Sequence, residues 1–410
     1  MKTITRICSW VATGALMAVL LPACGKGSSS DAVSTTAPGI FYGHSVVYSN
    51  HSTAYTWGHN TYGELGNDSI TSGPTPVTLS LAGVKEAVAG GTHTLAVTGE
   101  NGGSVWAWGN NGYGQLGDST TSARKVPVRV VNITGVTAVA GGGQHSLALK
   151  SDGTVWGWGY NGLGQLGDNT TTNRTSPVQT NSLAGMMAVA AGGSHSVALK
   201  SDGTVWTWGY NGYGQLGDGG TANSAVPVQV PSLTGMTAVA AGGSHTVALK
   251  SDGTVWTWGY NSLGQLGNNG TANSAVPVPV VMTDGVTPLS NVTAISAGLD
   301  HTVALKSDGT VWGWGFNGFG QLGNNDIPLS TGFRSTPVQA VYLDANNVPQ
   351  PLTGIVRIIA IGHHTIAIDS AGIVWTWGDN KYEQLGVAVA STPLYYSPTA
   401  IKVPGLVIAP

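Results

Sequence analysis

MMAVAAGGSHSVALKSDGTVWTWGYNGYGQLGDGGTANSAVPVQVPSLTG, residues 186–235, holds one full copy of the pattern that decides the fold. Met187-Ala188-Val189-Ala190 is a short apolar run that ends at Gly192-Gly193. From His195 to Lys200 the residues alternate, with Val197 and Leu199 on one face and Ser196 and Ala198 on the other, the two-residue period of a strand. Ser201-Asp202-Gly203 predicts a turn, because Asp-Gly between two alternating runs is a strong hairpin signal. Val205 to Trp208 alternates again, with Trp206 and Trp208 on one face. Gly209 to Gly217 reads as a loop. Pro227-Val228-Gln229-Val230 reads as a fourth strand, its proline suited to an edge where a missing donor costs little.

The pattern recurs seven times. His44, His93, His145, His195, His245, His301 and His364 are each followed by a Trp-Gly pair, at Trp57, Trp108, Trp158, Trp208, Trp258, Trp314 and Trp377. The interval is 13 residues in six units and 15 in the second, where the turn GENGG at 99–103 is longer. A unit of about 50 residues repeated this way marks a repeat architecture. Four short antiparallel strands per unit predict an all-β, seven-bladed β-propeller. No stretch keeps the 3.6-residue period that a helical or leucine-rich solenoid needs. The first unit starts late, just before His44. Gly405-Leu406-Val407-Ile408-Ala409 matches Gly185 to Val189, so the C-terminal strand is expected to complete the N-terminal blade and close the ring, removing exposed sheet edges.

Composition agrees: 41% apolar and 9% charged residues, with 62 glycines in 410. This suits tight turns and strands and excludes a disordered chain. Net charge is −3 and no basic stripe occurs, which argues against nucleic acid as partner. The N-terminus reads as an export signal, residues 1–23. Lys2 and Arg6 give the positive start, and Ile7 to Leu21 the apolar core, short for a membrane span. Leu21-Pro22-Ala23-Cys24 resembles the bacterial lipobox, in which the cysteine is lipidated, although Pro22 departs from the usual residue. Ordinary signal cleavage competes and is disfavoured by Leu21. Of two cysteines, Cys8 lies in the signal and only Cys24 would remain, so no internal disulfide is expected. Gly25 after Cys24 resembles the pattern of outer-membrane retention. Residues 24–38 read as a flexible tether with a reach of roughly 20 Å, and 39–410 as the propeller.

The stretch AGGSHTVALKSDGTVWTWGYNSLGQLG, residues 241–267, resembles the regulator of chromosome condensation repeat family. It shares Gly-x-x-His-Thr, Ala-Leu, Gly-x-Val, Trp-Gly-x-Asn and Gly-Gln-Leu-Gly, and the likeness runs over 39–410. The resemblance implies a seven-bladed propeller and, with the N-terminal signal, a bacterial lipoprotein member. It implies no single function: members include a nuclear exchange factor for a small GTPase, ubiquitin-ligase modules and a secreted bacterial β-lactamase inhibitor. This chain departs from the nuclear member in its export signal, in lacking a basic tail, and in having only modest excursions, at 282–292 and 342–353, where a wedge would be inserted.

Residues common to all units read as framework. Zinc ligands must converge at 2.0–2.1 Å, whereas equivalent positions on neighbouring blades lie on the order of 10 Å apart. The seven histidines are therefore expected to hydrogen-bond backbone within their own blades, with no metal or cofactor; Asp300-His301 and His363-His364 stand out as local variants. The tryptophans, Trp158, Trp208, Trp258, Trp314 and Trp377 among them, are expected to pack between blades. The Gly-Gln-Leu-Gly segments lack the strand-to-helix setting of a phosphate loop. No nucleophile elbow, His-Glu-x-x-His or paired CxxC occurs, so the chain is not expected to be an enzyme.

What varies is the loop after each Trp-Gly. These loops share a face with the first-to-second turns and present Tyr62, Tyr113, Tyr160, Tyr210, Tyr213, Tyr260, Phe316, Phe319 and Tyr382. Aromatic patches of this kind suit protein interfaces. The alternative is that one ring of each pair folds onto its own loop. The expected function is an exported, lipid-anchored, monomeric scaffold of the cell envelope. It would capture an unidentified protein through the aromatic face and touch the membrane only through its lipid. Cell-surface glycan binding or turnover is the alternative; an exchange-factor-like role rests on family resemblance alone.

Overall fold

In a computed structural model, residues 43–49, 52–326, 332–388 and 395–408 are described. The signal 1–23, Cys24, the tether 24–38, the run 39–42 and Ala409 lie outside the described residues. The stretch 186–235 folds into strands Met186–Ala191, His195–Lys200, Val205–Gly209 and Ser224–Gln229, paired antiparallel in chain order. The Asp-Gly turn forms as the sequence predicts: Lys200 N–H donates to the Thr204 carbonyl at 2.9 Å, and Gly203 has φ +80°. The fourth strand begins at Ser224, ahead of Pro227. A register shift between Thr207 and Gly209 lets the outer strand carry extra residues, and Pro227 is accepted there because that strand is the blade's outer edge.

Seven such sheets surround an axis as blades I to VII. Blade I comprises His44–Tyr48, Ala54–Gly58 and Gly73–Thr78, three strands among the described residues. Blades II to VII open with Val84–Ala89, Val136–Gly141, Met186–Ala191, Met236–Ala241, Val292–Ala297 and Ile355–Ile361. Consecutive opening strands touch one another and form the inner wall. The excursion 342–353 contains the hairpin Val341–Leu343 and Pro349–Pro351, which adds to the last strand of blade VII through Tyr342 opposite Ala400.

The core is a set of layers between blades. Val197, Leu199 and Val205 of blade IV pack against Met236, Val239 and Trp258 of blade V. All seven Trp-Gly tryptophans are fully buried. An indole of this size removes about 200 Å² from water, worth roughly 5 kcal/mol as an upper bound.

The histidines do not bond backbone in their own blades, as the sequence reading expects. Each reaches across a seam. His44, His93, His145, His195, His245, His301 and His364 place Nε2 2.8–3.0 Å from the hydroxyls of Thr94, Ser146, Ser196, Thr246, Thr302, Thr365 and Ser45. Those hydroxyls donate to the carbonyls of Glu64, Gln115, Gln165, Gln215, Gln265, Gln321 and Gln384 at 2.7–3.1 Å. The same carbonyls accept the indole N–H of Trp108, Trp158, Trp208, Trp258, Trp314, Trp377 and Trp57 at 2.7–3.0 Å. Because each hydroxyl spends its proton on a carbonyl, the imidazole must donate from Nε2. Nδ1 has no partner in any of the seven rings, so the proton is worth most on Nε2. The hydroxyl is one residue after each histidine, which explains the recurrent His-Ser/Thr pair.

Two glycines make this clasp possible. Gly209, at φ +101°, would carry a Cβ 2.7 Å from the Ser194 carbonyl. Gly217, the last residue of Gly-Gln-Leu-Gly, would carry one 2.6 Å from Nε1 of Trp258 in the next blade.

The last clasp joins His364 of blade VII to Ser45 of blade I, and Trp57 of blade I to the Gln384 carbonyl of blade VII. It closes the ring. Leu406 and Ile408 enter the cluster that holds Val46 and Val47. The C-terminal run arrives later than its match to 185–189 implies. Ile408 N–H donates to the Gly372 carbonyl at 2.7 Å, the bond by which Met186 at the start of blade IV joins Gly153 of blade III. The paired part of this run belongs to blade VII, along Tyr396–Val407.

Thr246→Val should leave the His195 Nε2–H and the Gln215 carbonyl short of a partner, lowering stability by about 1–3 kcal/mol in urea unfolding. A value indistinguishable from zero would remove the clasp from the account. The pH dependence has a definite sign. Burial pushes His44, His93, His145, His195, His245 and His364 down to about 3, and His301 well below its ordinary value. The unfolded chain then binds protons that the folded one refuses. Stability is complete above about pH 6.5 and drains as pH falls toward 3, at about 1.4 kcal/mol per unit for each ring. Burial acts oppositely on two carboxyls, pushing Glu86 up to about 8 and Asp300 up to about 7; they are outnumbered. Urea midpoints measured from pH 7 down to pH 5 should fall, and a flat series would contradict this.

Candidate functional site

The loop after each Trp-Gly is built around two amides. In blade III, Asn161 is buried; its Oδ1 accepts the Leu166 N–H at 2.9 Å. Its Nδ2 donates to Asp168 and to the Thr170 and Thr172 carbonyls at 3.0–3.1 Å. Gln165 Oε1 accepts the Leu163 N–H at 3.0 Å. Asn111, Asn211, Asn261, Asn317 and Asn380 repeat the bond to the leucine. The amides consume the loop's interior polar groups and leave its face to apolar and aromatic side chains such as Tyr160 and Leu163, both half-buried. Arg124 and Arg174 are tied to Asp118 and Asp168 at 2.7 Å within their own loops, so much of this face's charge is internally matched.

The aromatic candidates gather on this face, in two roles. Tyr160, Tyr210 and Phe316, first after Trp-Gly, lie over Gly162, Gly212 and Gly318, where a Cβ would run into the ring or hydroxyl. These rings fold onto their own loops. The rings three positions later bridge the seams: Tyr113 meets Tyr160 at 5.0 Å, Tyr213 meets Tyr260 at 4.8 Å, and Tyr382 meets His59 at 4.8 Å. Phe319 and Phe316 both contact His363, at 5.3 and 5.6 Å. Tyr62 and Tyr213 are the most open, at 36% and 38% exposure; the other seven candidates are half-buried. The face is thus an interrupted collar of rings. The framework candidates, His and Trp, sit at the seams below it.

In blade I the sequence reading places Tyr62 on the face but leaves the pairing of its neighbours unseen. There the glutamine is Glu64, and the residue after Trp-Gly is His59. Glu64 Oε2 accepts the Tyr62 N–H at 2.8 Å, as glutamine does elsewhere. Its Oε1 accepts His59 Nδ1 at 3.0 Å, and Thr61 Oγ1 lies 2.9 Å from His59 Nε2. In the other six blades the corresponding glutamine Nε2 is buried without a partner. A carboxylate buried there requires a donor, and His59 supplies it. The legible signal was Gly63-Glu64-Leu65-Gly66, the one break in an otherwise constant glutamine. His363, a local variant in sequence, belongs to this face through its contacts with both phenylalanines.

The RCC1-like domain model matches residues 164–408, and the regulator of chromosome condensation (RCC1) repeat model matches 52–97 and 102–149. The ultraviolet-B receptor UVR8 of Arabidopsis thaliana is 37% identical over 102 residues, covering 24% of this chain and 20% of that protein. The match thus spans a fifth of that relative's own length. Human WBSCR16 superposes with a TM-score of 0.72 at 23% identity, over 86% of this chain and 94% of that one. Prp20p of Saccharomyces cerevisiae gives 0.69 at 23%, over 89% and 87%. At such identity the structural likenesses show the fold alone.

Gly212→Ala should lift the Tyr210 ring from its loop. The near-ultraviolet circular dichroism of tyrosine should change while the far-ultraviolet spectrum stays the same; an unaltered tyrosine signal would mean the ring does not rest there.

Proposed function

From the chain's membership of the RCC1-like domain family, we propose that it is a protein-interaction scaffold, exported and lipid-anchored at Cys24, that captures its partner through the aromatic collar. The observation that carries this reading is the division of labour in the loops. Amides and seam bonds hold each loop rigid, and rings lie across the loops and seams of a face whose Arg124 and Arg174 are already paired. Rigid aromatic anchors lose little conformational freedom on binding and are favoured as interface hot spots. Prp20p, similar in fold, is described with binding properties to Gsp1p and histones, which supports protein partners in general. The lipobox-like Leu21-Pro22-Ala23-Cys24 supports the anchor and an envelope location, and the expected tether would let the disc stand off the membrane.

A second reading, cell-surface glycan binding, is favoured by one feature away from the collar. A cleft of about 480 Å³ between blades IV and V is lined by Leu233, Met236, Lys250, Trp256 and Pro277. A partly exposed indole beside a lysine suits a sugar ring. The exchange-factor-like role carried by family likeness requires a cytoplasmic or nuclear protein. Metabolic lipid labelling that depends on Cys24 would exclude it.

Replacing Tyr210, Tyr213 and Phe316 together with Ala should reduce partner recovery from an envelope fraction at least ~10-fold, with the thermal midpoint little changed. Equal recovery would count against the collar. Saturable binding on a glycan array that is lost in Trp256→Ala would favour the second reading.

A further inference from the structure

We propose that Thr61, His59 and Glu64 of blade I form a hydroxyl–imidazole–carboxylate relay that hydrolyses small aryl esters, with Thr61 as nucleophile. The inference is independent of the collar's role in partner capture.

Two features distinguish blade I from its six sister blades, and a third sets it apart from blades II and VII. The first is the chain of contacts: Thr61 Oγ1 to His59 Nε2 at 2.9 Å, His59 Nδ1 to Glu64 Oε1 at 3.0 Å, and Glu64 Oε2 to the Tyr62 N–H at 2.8 Å. The Glu64 carboxylate accepts from Nδ1–H, and in the neutral ring that leaves Nε2 as the bare nitrogen facing the Thr61 hydroxyl. This is the opposite tautomer from the seven seam histidines. The second feature is exposure. Glu64 is fully buried and His59 is 5% exposed, while Thr61 is exposed; an orienting acid and base are held inside, with the hydroxyl at the surface. The third is a spare donor. The Gly112 and Lys381 N–H groups, equivalent to that of Thr61, are taken by the side chains of Asn110 and Asp379 at 2.8 and 2.9 Å. His59 cannot serve in that way, and the Thr61 N–H has no partner among the described residues. It is available to a developing oxyanion.

A glutamine would do the loop's structural work equally well, as Gln115 does by accepting the Tyr113 N–H at 2.9 Å. The carboxylate adds only the hold on His59. Tyr382 packs against that imidazole at 4.8 Å in a T-shaped arrangement, giving aryl groups a surface. In the first step Thr61 Oγ bonds to the ester carbonyl carbon while its proton passes to His59 Nε2. The carbon–oxygen bond to the leaving phenol breaks, and the phenol oxygen takes that proton. Water then attacks the acyl-threonine, giving a proton to Nε2. Thr61 Oγ recovers it as the acid departs. Glu64 is a positioning residue throughout.

The test is hydrolysis of p-nitrophenyl acetate by the full chain, with peptide mass mapping of the acetyl group. The variants are borrowed from sister blades, so the loop is known to tolerate them: His59→Asn as in blade II, Thr61→Gly as in blades II to IV, and Glu64→Gln as in six blades. Acetyl should be found on Thr61. His59→Asn and Thr61→Gly should lower kcat/KM at least ~100-fold. Glu64→Gln should lower kcat about 10-fold with KM unchanged, and Thr61→Ser should retain activity. Circular dichroism and thermal midpoints matching the parent exclude misfolding. Rates equal in all variants, or acetyl found only on lysines, would overturn the proposal.

Discussion

A single carbonyl at each seam receives two donors from the next blade, an indole N–H and a hydroxyl, while an imidazole of its own blade donates to that hydroxyl. Everything else in the propeller depends on this clasp. It lies beside the buried tryptophan, where water cannot replace a missing partner, so each group is needed by the others. It also fixes the angle between blades, since the two donors leave little rotational freedom. Repetition then does what no single blade can. A four-stranded sheet has two apolar faces and cannot bury either alone, and seven clasps bring each face against a neighbour until His364 meets Ser45.

Much of this could be read from the chain. The two-residue alternation, the Asp-Gly turns and the constant interval from histidine to Trp-Gly are local signals, and they gave the strands, the blade and the count of seven. The placement of tryptophan between blades followed from its regularity. The partner of each histidine did not follow, because the acceptor lies on the next blade, about 50 residues away, and nothing local distinguishes a backbone carbonyl from a distant hydroxyl. The C-terminal run closes the ring as its sequence implies, but its register did not follow, for a similar reason. Gly405 resembles Gly185 in sequence, but the bond that defines the start of an inner strand is made by Ile408. Of the face, sequence gave the rings but not their roles. Only the glycine beneath Tyr160, Tyr210 and Phe316 separates a ring folded on its loop from one that bridges a seam.

The same logic relates framework to function. Because the seams are identical, a departure in one blade is visible against six internal controls. Blade I departs twice within six residues, at His59 and Glu64, and the two changes satisfy each other. Blades VI and VII depart at Asp300 and His363, with His363 set among Phe316 and Phe319. The collar is thus uniform in construction and varied in chemistry, which suits a surface read by a partner.

The clasp requires a particular tautomer, and imidazole nitrogen NMR on histidine-labelled protein reports it directly. The account predicts that the rings of His44, His93, His145, His195, His245, His301 and His364 are neutral, protonated on Nε2 and bare on Nδ1, and that they remain so well below the pH at which a free imidazole takes up its second proton. Seven rings titrating near pH 6.5, or protonated on Nδ1, would contradict it.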